Sequence, residues 1–155
     1  MVKQMLENAV SKYPKLDGRF PLISGFRFTF SPGNEVGNRV QPEDIRDMNE
    51  EPLDLRKSYI VAMLEFMAKG GDGFHFLNEK VSGVEIVVEP EAAPVLPHLV
   101  TRCFQTIGPE LDLSVEQLRV RKERLKMYQT NKYNKTDKGF IRINPQLDGR
   151  IQLKN

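Results

Sequence analysis

Tryptophan is absent from this 155-residue chain, cysteine occurs once, histidine occurs twice, and no apolar run is long. Each scarcity removes a class of function. A single thiol, Cys103, excludes an internal disulfide and a cysteine-rich zinc site. Neither His75 nor His98 has a second histidine, a cysteine or a carboxylate at ligand spacing such as His-x-x-x-His or Asp-x-His. The chain is therefore expected to hold no metal and no two-metal hydrolase site, which needs several convergent ligands of this kind. His98, among apolar neighbours, reads as a packed or partly exposed histidine, and Cys103 as a core thiol rather than a nucleophile. No Gly-x-Ser-x-Gly elbow and no Walker phosphate loop is present. No window approaches the roughly 18 uninterrupted apolar residues of a membrane span. The opening Met1-Val2-Lys3-Gln4-Met5-Leu6-Glu7 has no apolar core of a signal peptide, so the compartment is left unread.

What is present suits a folded domain: 39% of residues are hydrophobic and 28% charged. A chain of this length buries roughly two-thirds of its unfolded surface, enough for one core and short for a two-domain hydrolase. Residues 1–155 are expected to form a single domain. The net charge of +2 conceals an asymmetry. Between Arg119 and Arg142 stand Arg119, Arg121, Lys122, Arg124, Lys126, Lys132, Lys135, Lys138 and Arg142 against Glu123 and Asp137 only. Tyr128 and Tyr133 lie within this basic stretch as candidate stacking rings for nucleic acid, but no nucleic-acid module signature accompanies them, and a solvated helical face and loop is the preferred reading of the charge.

Along the chain, Met5, Leu6, Ala9, Val10 and Tyr13 recur at spacings of three and four, which predicts a helix from Met1 to Tyr13 that Pro14 ends. Leu22 to Phe30 alternates Phe26, Phe28 and Phe30 with Arg27 and Thr29, the period of a strand with one buried face. Tyr59 to Leu64 reads as a central strand, Glu65 to Lys69 as a short helical turn closed by Gly70-Gly71, and Val84 to Val88 as another strand. Val95, Leu96, Leu99, Val100, Cys103, Phe104 and Ile107 place a helix over Ala92 to Ile107 with Pro94 and Pro97 in its first turns. Ser114 with Gln117 marks a capping-box start for a basic helix to about Gln129. Thr130 to Lys138 reads as loop and Phe140 to Ile143 as a final strand. The segments Pro14-Lys15-Leu16-Asp17-Gly18-Arg19-Phe20 and Pro145-Gln146-Leu147-Asp148-Gly149-Arg150-Ile151 echo each other as two Asp-Gly turns feeding strands. The fold class is α+β, a mixed sheet flanked by helices.

Lys69-Gly70-Gly71-Asp72-Gly73-Phe74 is the most unusual cluster, with three glycines in four residues leading into an aromatic ring. Glycines let backbone approach a ligand closely, Asp72 fixes the turn through neighbouring amides, and Phe74 offers a π-face to a flat heterocycle. A structural turn with a core phenylalanine accounts for the same residues.

Order and spacing add to this. Leu6-Glu7-Asn8-Ala9-Val10, Gly18-Arg19-Phe20-Pro21, Ser24-Gly25-Phe26-Arg27-Phe28-Thr29-Phe30, Gly37-Asn38-Arg39-Val40, Pro52-Leu53-Asp54 and Tyr59-Ile60-Val61-Ala62 precede Phe66-Met67-Ala68-Lys69-Gly70-Gly71-Asp72-Gly73-Phe74. Together they resemble the C-terminal domain of the 5′-nucleotidase family over Leu6 to about Leu77. The closing Leu147-Asp148-Gly149-Arg150-Ile151 resembles that family's usual end. The resemblance implies a nucleoside-binding domain that follows a metallophosphoesterase domain with a divalent metal pair. It implies base stacking on Phe74, with Gly70, Gly71, Asp72 and Gly73 as the loop beside it. The family's ribose-contacting acid has its nearest counterpart in Glu79, with Asn78 next to it.

The family's second ring, its phosphate-contacting arginine and its metal motifs belong upstream of the matching stretch. The resemblance thus implies recognition of a nucleoside or nucleoside monophosphate by this chain and hydrolysis by an N-terminal domain outside it. Residues 1–80 carry the likeness, 83–140 read as an insertion or extension with the basic helix, and 141–155 as a closing strand. Family members are often secreted or periplasmic. The other reading is a non-catalytic interaction domain that binds nucleic acid or an acidic partner through residues 119–138.

Overall fold

The computed structural model describes residues 1–54, 56–77, 83–107, 133–135, 141–143 and 147–154. In chain order the elements are α1 (Val2–Val10), β1 (Phe26–Phe30), β2 (Ile45–Asp47), α2 (Glu65–Ala68), α3 (Leu96–Ile107), β3 (Tyr133–Lys135), β4 (Ile141–Ile143) and β5 (Ile151–Leu153). They fall into two compact units, Met1–Pro90 with Gly149–Asn155, and Glu91–Asp148.

In the first unit α1 forms where the three-and-four spacing predicts, and its inner face buries Leu6, Ala9 and Val10 together with the charged Glu7. A buried carboxylate needs donors, and two backbone amides supply them. Arg39 N–H donates to Glu7 Oε2 at 3.1 Å and Val40 N–H to Oε1 at 2.7 Å. Arg39 also answers the end of α1: its Nη1 donates to the carbonyls of Val10 at 2.7 Å, Ser11 at 3.3 Å and Tyr13 at 3.0 Å. These carbonyls lie at and just beyond the helix terminus, and the Val10 carbonyl also accepts from Tyr13 N–H at 3.1 Å. The helix therefore closes at Val10, three residues earlier than Tyr13.

β1 begins at Phe26 rather than Leu22, because Gly25 turns the backbone to φ +87° and Leu22 stands fully in solvent. Its alternation is kept, with Phe28 and Phe30 buried. β2 lies antiparallel on one side (Phe28 opposite Ile45) and β5 parallel on the other (Phe28 opposite Ile151, Phe30 opposite Leu153). The result is a small mixed sheet in the order β2-β1-β5 within an α+β fold. Leu6, Val10, Phe28, Phe30, Val40 and Ile45 form the main core between α1 and this sheet. A second cluster of Ala9, Phe74 and Leu77, with Met5, Met63, Met67 and Phe76 against it, lies on the neighbouring flank of α1.

Five local expectations are corrected. Tyr59 to Leu64 is not a strand, and Ile60 is 86% exposed. The outer side of β2 is already taken by the chain folding back, with Asp47 N–H donating to Glu51 O at 2.9 Å and Leu53 N–H to Ile45 O at 2.8 Å, so that edge is closed to the run. Val84 to Val88 likewise joins no ladder, and Val87 and Val88 are exposed. The expected loop Thr130 to Lys138 contains β3, antiparallel to β4. The last strand is β5 rather than β4: Phe28 N–H donates to Arg150 O at 2.9 Å and Lys154 N–H to Phe30 O at 2.8 Å. Of the two Asp-Gly echoes, only the one at Gly149, with φ +72°, feeds a strand directly.

In the second unit α3 starts at Leu96, with Pro97 in its first turn, and its apolar residues Leu96, Leu99, Val100 and Phe104 are exposed. Cys103 is half-buried and His98 exposed. The expected basic helix from Ser114 to about Gln129 lies outside the described residues. No helix among the described residues is long and apolar enough to cross a membrane.

If the reciprocal clasp between Glu7 and residues 39–40 anchors α1, Glu7→Ala leaves one buried and one half-buried amide without acceptors and is expected to cost about 3 kcal/mol in denaturant unfolding. Glu7→Gln keeps one acceptor and sets a donor against the other amide, so its loss falls between wild type and Glu7→Ala.

Candidate functional site

The glycine-rich loop follows α2, whose last turn closes as Lys69 N–H donates to Glu65 O at 2.8 Å and Gly70 N–H to Met67 O at 2.9 Å. Gly70 takes φ +96°, the left-handed position that commonly ends a helix. Gly71–Gly73 then forms one tight turn, in which Asp72 also enters the left-handed region at φ +49°. Phe74 N–H donates to Gly71 O at 3.0 Å and Leu77 N–H to Phe74 O at 2.8 Å, so the chain recoils at once into a second turn.

The turn is fixed from three sides. Asn8 Nδ2, on α1, donates to the Asp72 carbonyl at 2.9 Å. Gly73, at φ +82°, lies so close to α1 that a Cβ there would sit 2.7 Å from Asn8 Oδ1 and 3.4 Å from Arg19 Nη1. At Gly71 a Cβ would meet the Phe66 ring at 2.4 Å. At Gly73 the positive φ and the nearby Asn8 favour glycine, whereas at Gly71 a side chain would have to displace the Phe66 ring. Phe66 itself, on α2, is 60% exposed.

Arg19 is held at this place by Asp17, whose Oδ1 accepts from Arg19 N–H at 3.1 Å and from Nε at 2.8 Å. The Arg19 amide first, and its guanidinium next, keep the Asp17 carboxyl below its usual range. Asp54 and Arg56 repeat the arrangement, with Asp54 Oδ1 accepting from Arg56 N–H and Nε, each at 3.1 Å. The Arg56 side chain first, then its amide, holds Asp54 low. The Asp-x-Arg spacing thus builds a local clasp that the sequence shows at Asp17 and Asp54 alike.

The loop residues Gly70, Gly71, Asp72 and Gly73 are together, with Asp72 exposed. Phe74 follows directly, but its ring is enclosed: it is 1% exposed and belongs to the cluster with Ala9 and Leu77, 6.0 Å from the Phe76 ring centre. Asn78 and Glu79 lie outside the described residues. Among the described residues no group of three or more His, Cys, Asp or Glu side chains is placed to hold a metal ion. The described donor set does not fit a metal pair.

Asn8, Arg19 and Phe66 are the residues that a reading of the loop by itself misses. The Asp17-Gly18-Arg19 spacing was a usable signal for the Arg19 clasp; the bond between Asn8 and Asp72 joins residues 64 apart and has no local signature.

Comparison with known proteins bears on this site. The family model described as 5′-nucleotidase, C-terminal domain, matches residues 1–79, a stretch that contains α1, the sheet strands β1 and β2, and the whole glycine-rich loop. Protein 5NUC of Lutzomyia longipalpis is 33% identical over 81 residues, 48% of this chain and 14% of that protein. The trifunctional nucleotide phosphoesterase protein YfkN of Bacillus subtilis is 30% identical over 87 residues, 55% of this chain and 6% of its own length. The 5′-nucleotidase of Homo sapiens is 27% identical over 85 residues, 52% of this chain and 15% of that enzyme. The chain therefore aligns with only a small part of each of these longer proteins. No solved structure matches.

The contact between Gly71 and Phe66 makes a definite prediction. Gly71→Ala is expected to destabilise the chain, and in a Phe66→Ala background the same change is tolerated, giving a coupling of about 1 kcal/mol or more in a double-mutant cycle read by thermal unfolding.

Proposed function

Because the chain belongs to the family of 5′-nucleotidase C-terminal domains, we propose that it is the nucleoside-recognition part of a 5′-nucleotidase-like metallophosphoesterase acting on nucleoside monophosphates. The catalytic domain and its divalent metal pair lie outside this chain. The observation that carries the reading is the loop: the family match runs through a backbone turn packed so closely at Gly71 and Gly73 that its shape is set by its neighbours. A pre-shaped turn of this kind meets a ligand without first losing conformational entropy. The names of the relatives, a 5′-nucleotidase and a nucleotide phosphoesterase among them, agree in pointing to nucleotides.

In this reading Gly70 to Gly73 offer backbone to the nucleoside, Phe74 stacks on the base, and Asn78 and Glu79 contact the ribose. The burial of Phe74 adds a requirement. The cluster around it is lined by Met5, Met63 and Met67, unbranched side chains that repack readily. The base gains the ring face as one of these withdraws. Residues 83–140 form an extension to the family domain, a division supported by the separate compaction of Glu91–Asp148, outside the matched residues.

Titrating the isotope-labelled chain with adenosine is expected to move the amide signals of Gly70 to Phe74. Stacking on one ring contributes about 1–3 kcal/mol, so the dissociation constant falls in the millimolar range or weaker. Phe74→Leu, which keeps the cluster filled and removes the π-face, is expected to abolish those shifts. Shifts that survive the substitution would remove Phe74 from the site, and no shifts in the wild-type chain would sink the recognition reading. The chain by itself is expected to release no phosphate from AMP with magnesium, manganese or zinc; release would place catalysis here.

A further inference from the structure

We propose that Asn8 is the positioning residue of the glycine-rich loop, holding the Gly71–Gly73 turn in its binding conformation through α1. The proposal rests on the nucleoside-recognition reading for its consequence in binding, while its structural half stands on the bond itself. Asn8 bonds to one residue of the turn and limits the space at the next. Its Nδ2 donates to the Asp72 carbonyl at 2.9 Å, and its Oδ1 lies where a Cβ on Gly73 would be 2.7 Å away. One amide side chain thus supplies a donor to the carbonyl and a close-packed acceptor edge to the next Cα.

The turn needs such a hold. Asp72 is in the left-handed region at φ +49° without being glycine, a conformation that aspartate tolerates at some cost and that a hydrogen bond from a neighbour stabilises. The bonds inside the loop, Gly70 N–H to Met67 O and Phe74 N–H to Gly71 O, tie its two ends and leave Asp72 to Asn8. The position of Asn8 on α1 explains why it holds firmly. Glu7 before it is bonded to the amides of residues 39 and 40, and Ala9 after it packs in the cluster of Phe74 and Leu77. Three consecutive residues fix the helix to the sheet core, the loop to the helix, and the aromatic cluster to both.

The chemistry of the amide is specific. A carboxylate at position 8 would present a lone pair to the Asp72 carbonyl in place of the donor, and alanine would not reach it. Alanine is also the better helix former, so a purely structural contribution of position 8 to α1 predicts no loss from Asn8→Ala.

The test uses the 155-residue chain, with Asn8→Ala and Asn8→Asp against wild type, and reads three quantities: the thermal midpoint, amide hydrogen exchange at Asp72 to Phe74, and the adenosine dissociation constant. The expected result is exchange at these amides accelerated about tenfold or more in both variants, with exchange in the β1–β2 ladder unchanged. Adenosine binding is expected to weaken about fivefold or more while the Asn8→Ala midpoint stays at or above that of wild type. Unaltered loop exchange in both variants overturns the positioning role. If the wild-type chain shows no adenosine response, the recognition reading fails by itself, and the exchange data still decide the role of Asn8. If wild type binds and both variants bind equally well, the proposal is wrong even where recognition is right.

Discussion

The fold depends on the reciprocal clasp between α1 and residues 39–40. Glu7 accepts two backbone amides from the second partner, and Arg39 returns its guanidinium to three carbonyls at the end of the helix. Each half removes a cost that the other side would otherwise carry. The carboxylate is buried but satisfied, the amides of Arg39 and Val40 gain charged acceptors, and the open end of α1 is closed without a glycine cap. With α1 pinned at this angle, Leu6 and Val10 meet Phe28, Phe30, Val40 and Ile45. Ala9 is then directed to a different set of neighbours, Phe74 and Leu77.

Periodicity made part of this legible. α1, β1, α2 with its glycine end and α3 all appear close to where spacing places them, because each has a local pattern long enough to report its exposed and buried faces. Tyr59 to Leu64 shows where that argument stops. An apolar run states that a segment can be buried and does not name its ladder partner; here the free side of β2 is filled by residues 51–53 and the run stays outside the sheet. β5 was legible only as a closing segment after the Asp148-Gly149-Arg150 turn, and its place beside β1 is fixed by a contact across more than a hundred residues of sequence.

The site divides in the same way. Its loop could be read from three glycines and one aromatic residue, and its family from the order of motifs around it. The state of the aromatic could not. A Gly-Asp-Gly-Phe sequence is the same whether Phe74 presents a face to solvent or is closed into a cluster, since that depends on Met5, Ala9 and Met63, which lie elsewhere in the chain. Glu7 and Asn8 illustrate the point at closer range: adjacent polar residues on one helix, one buried against backbone amides and the other half-buried against a loop.

These two clusters differ in material as well as in place. The main core is built from phenylalanine, isoleucine, valine and one leucine, side chains with few rotatable bonds that lock into the surface of a sheet. The second is lined by three methionines, each with three rotatable bonds and a polarisable sulfur, over a ring that belongs to the candidate site. The adaptable side chains therefore lie against Phe74 and the stiff ones against the sheet. α1 is the common wall, with Leu6 and Val10 on the stiff side and Met5 and Ala9 on the adaptable one. Such a division lets a loop stay fixed while the cover over its aromatic neighbour yields. That is the mechanical condition which the proposed stacking of a base on Phe74 requires.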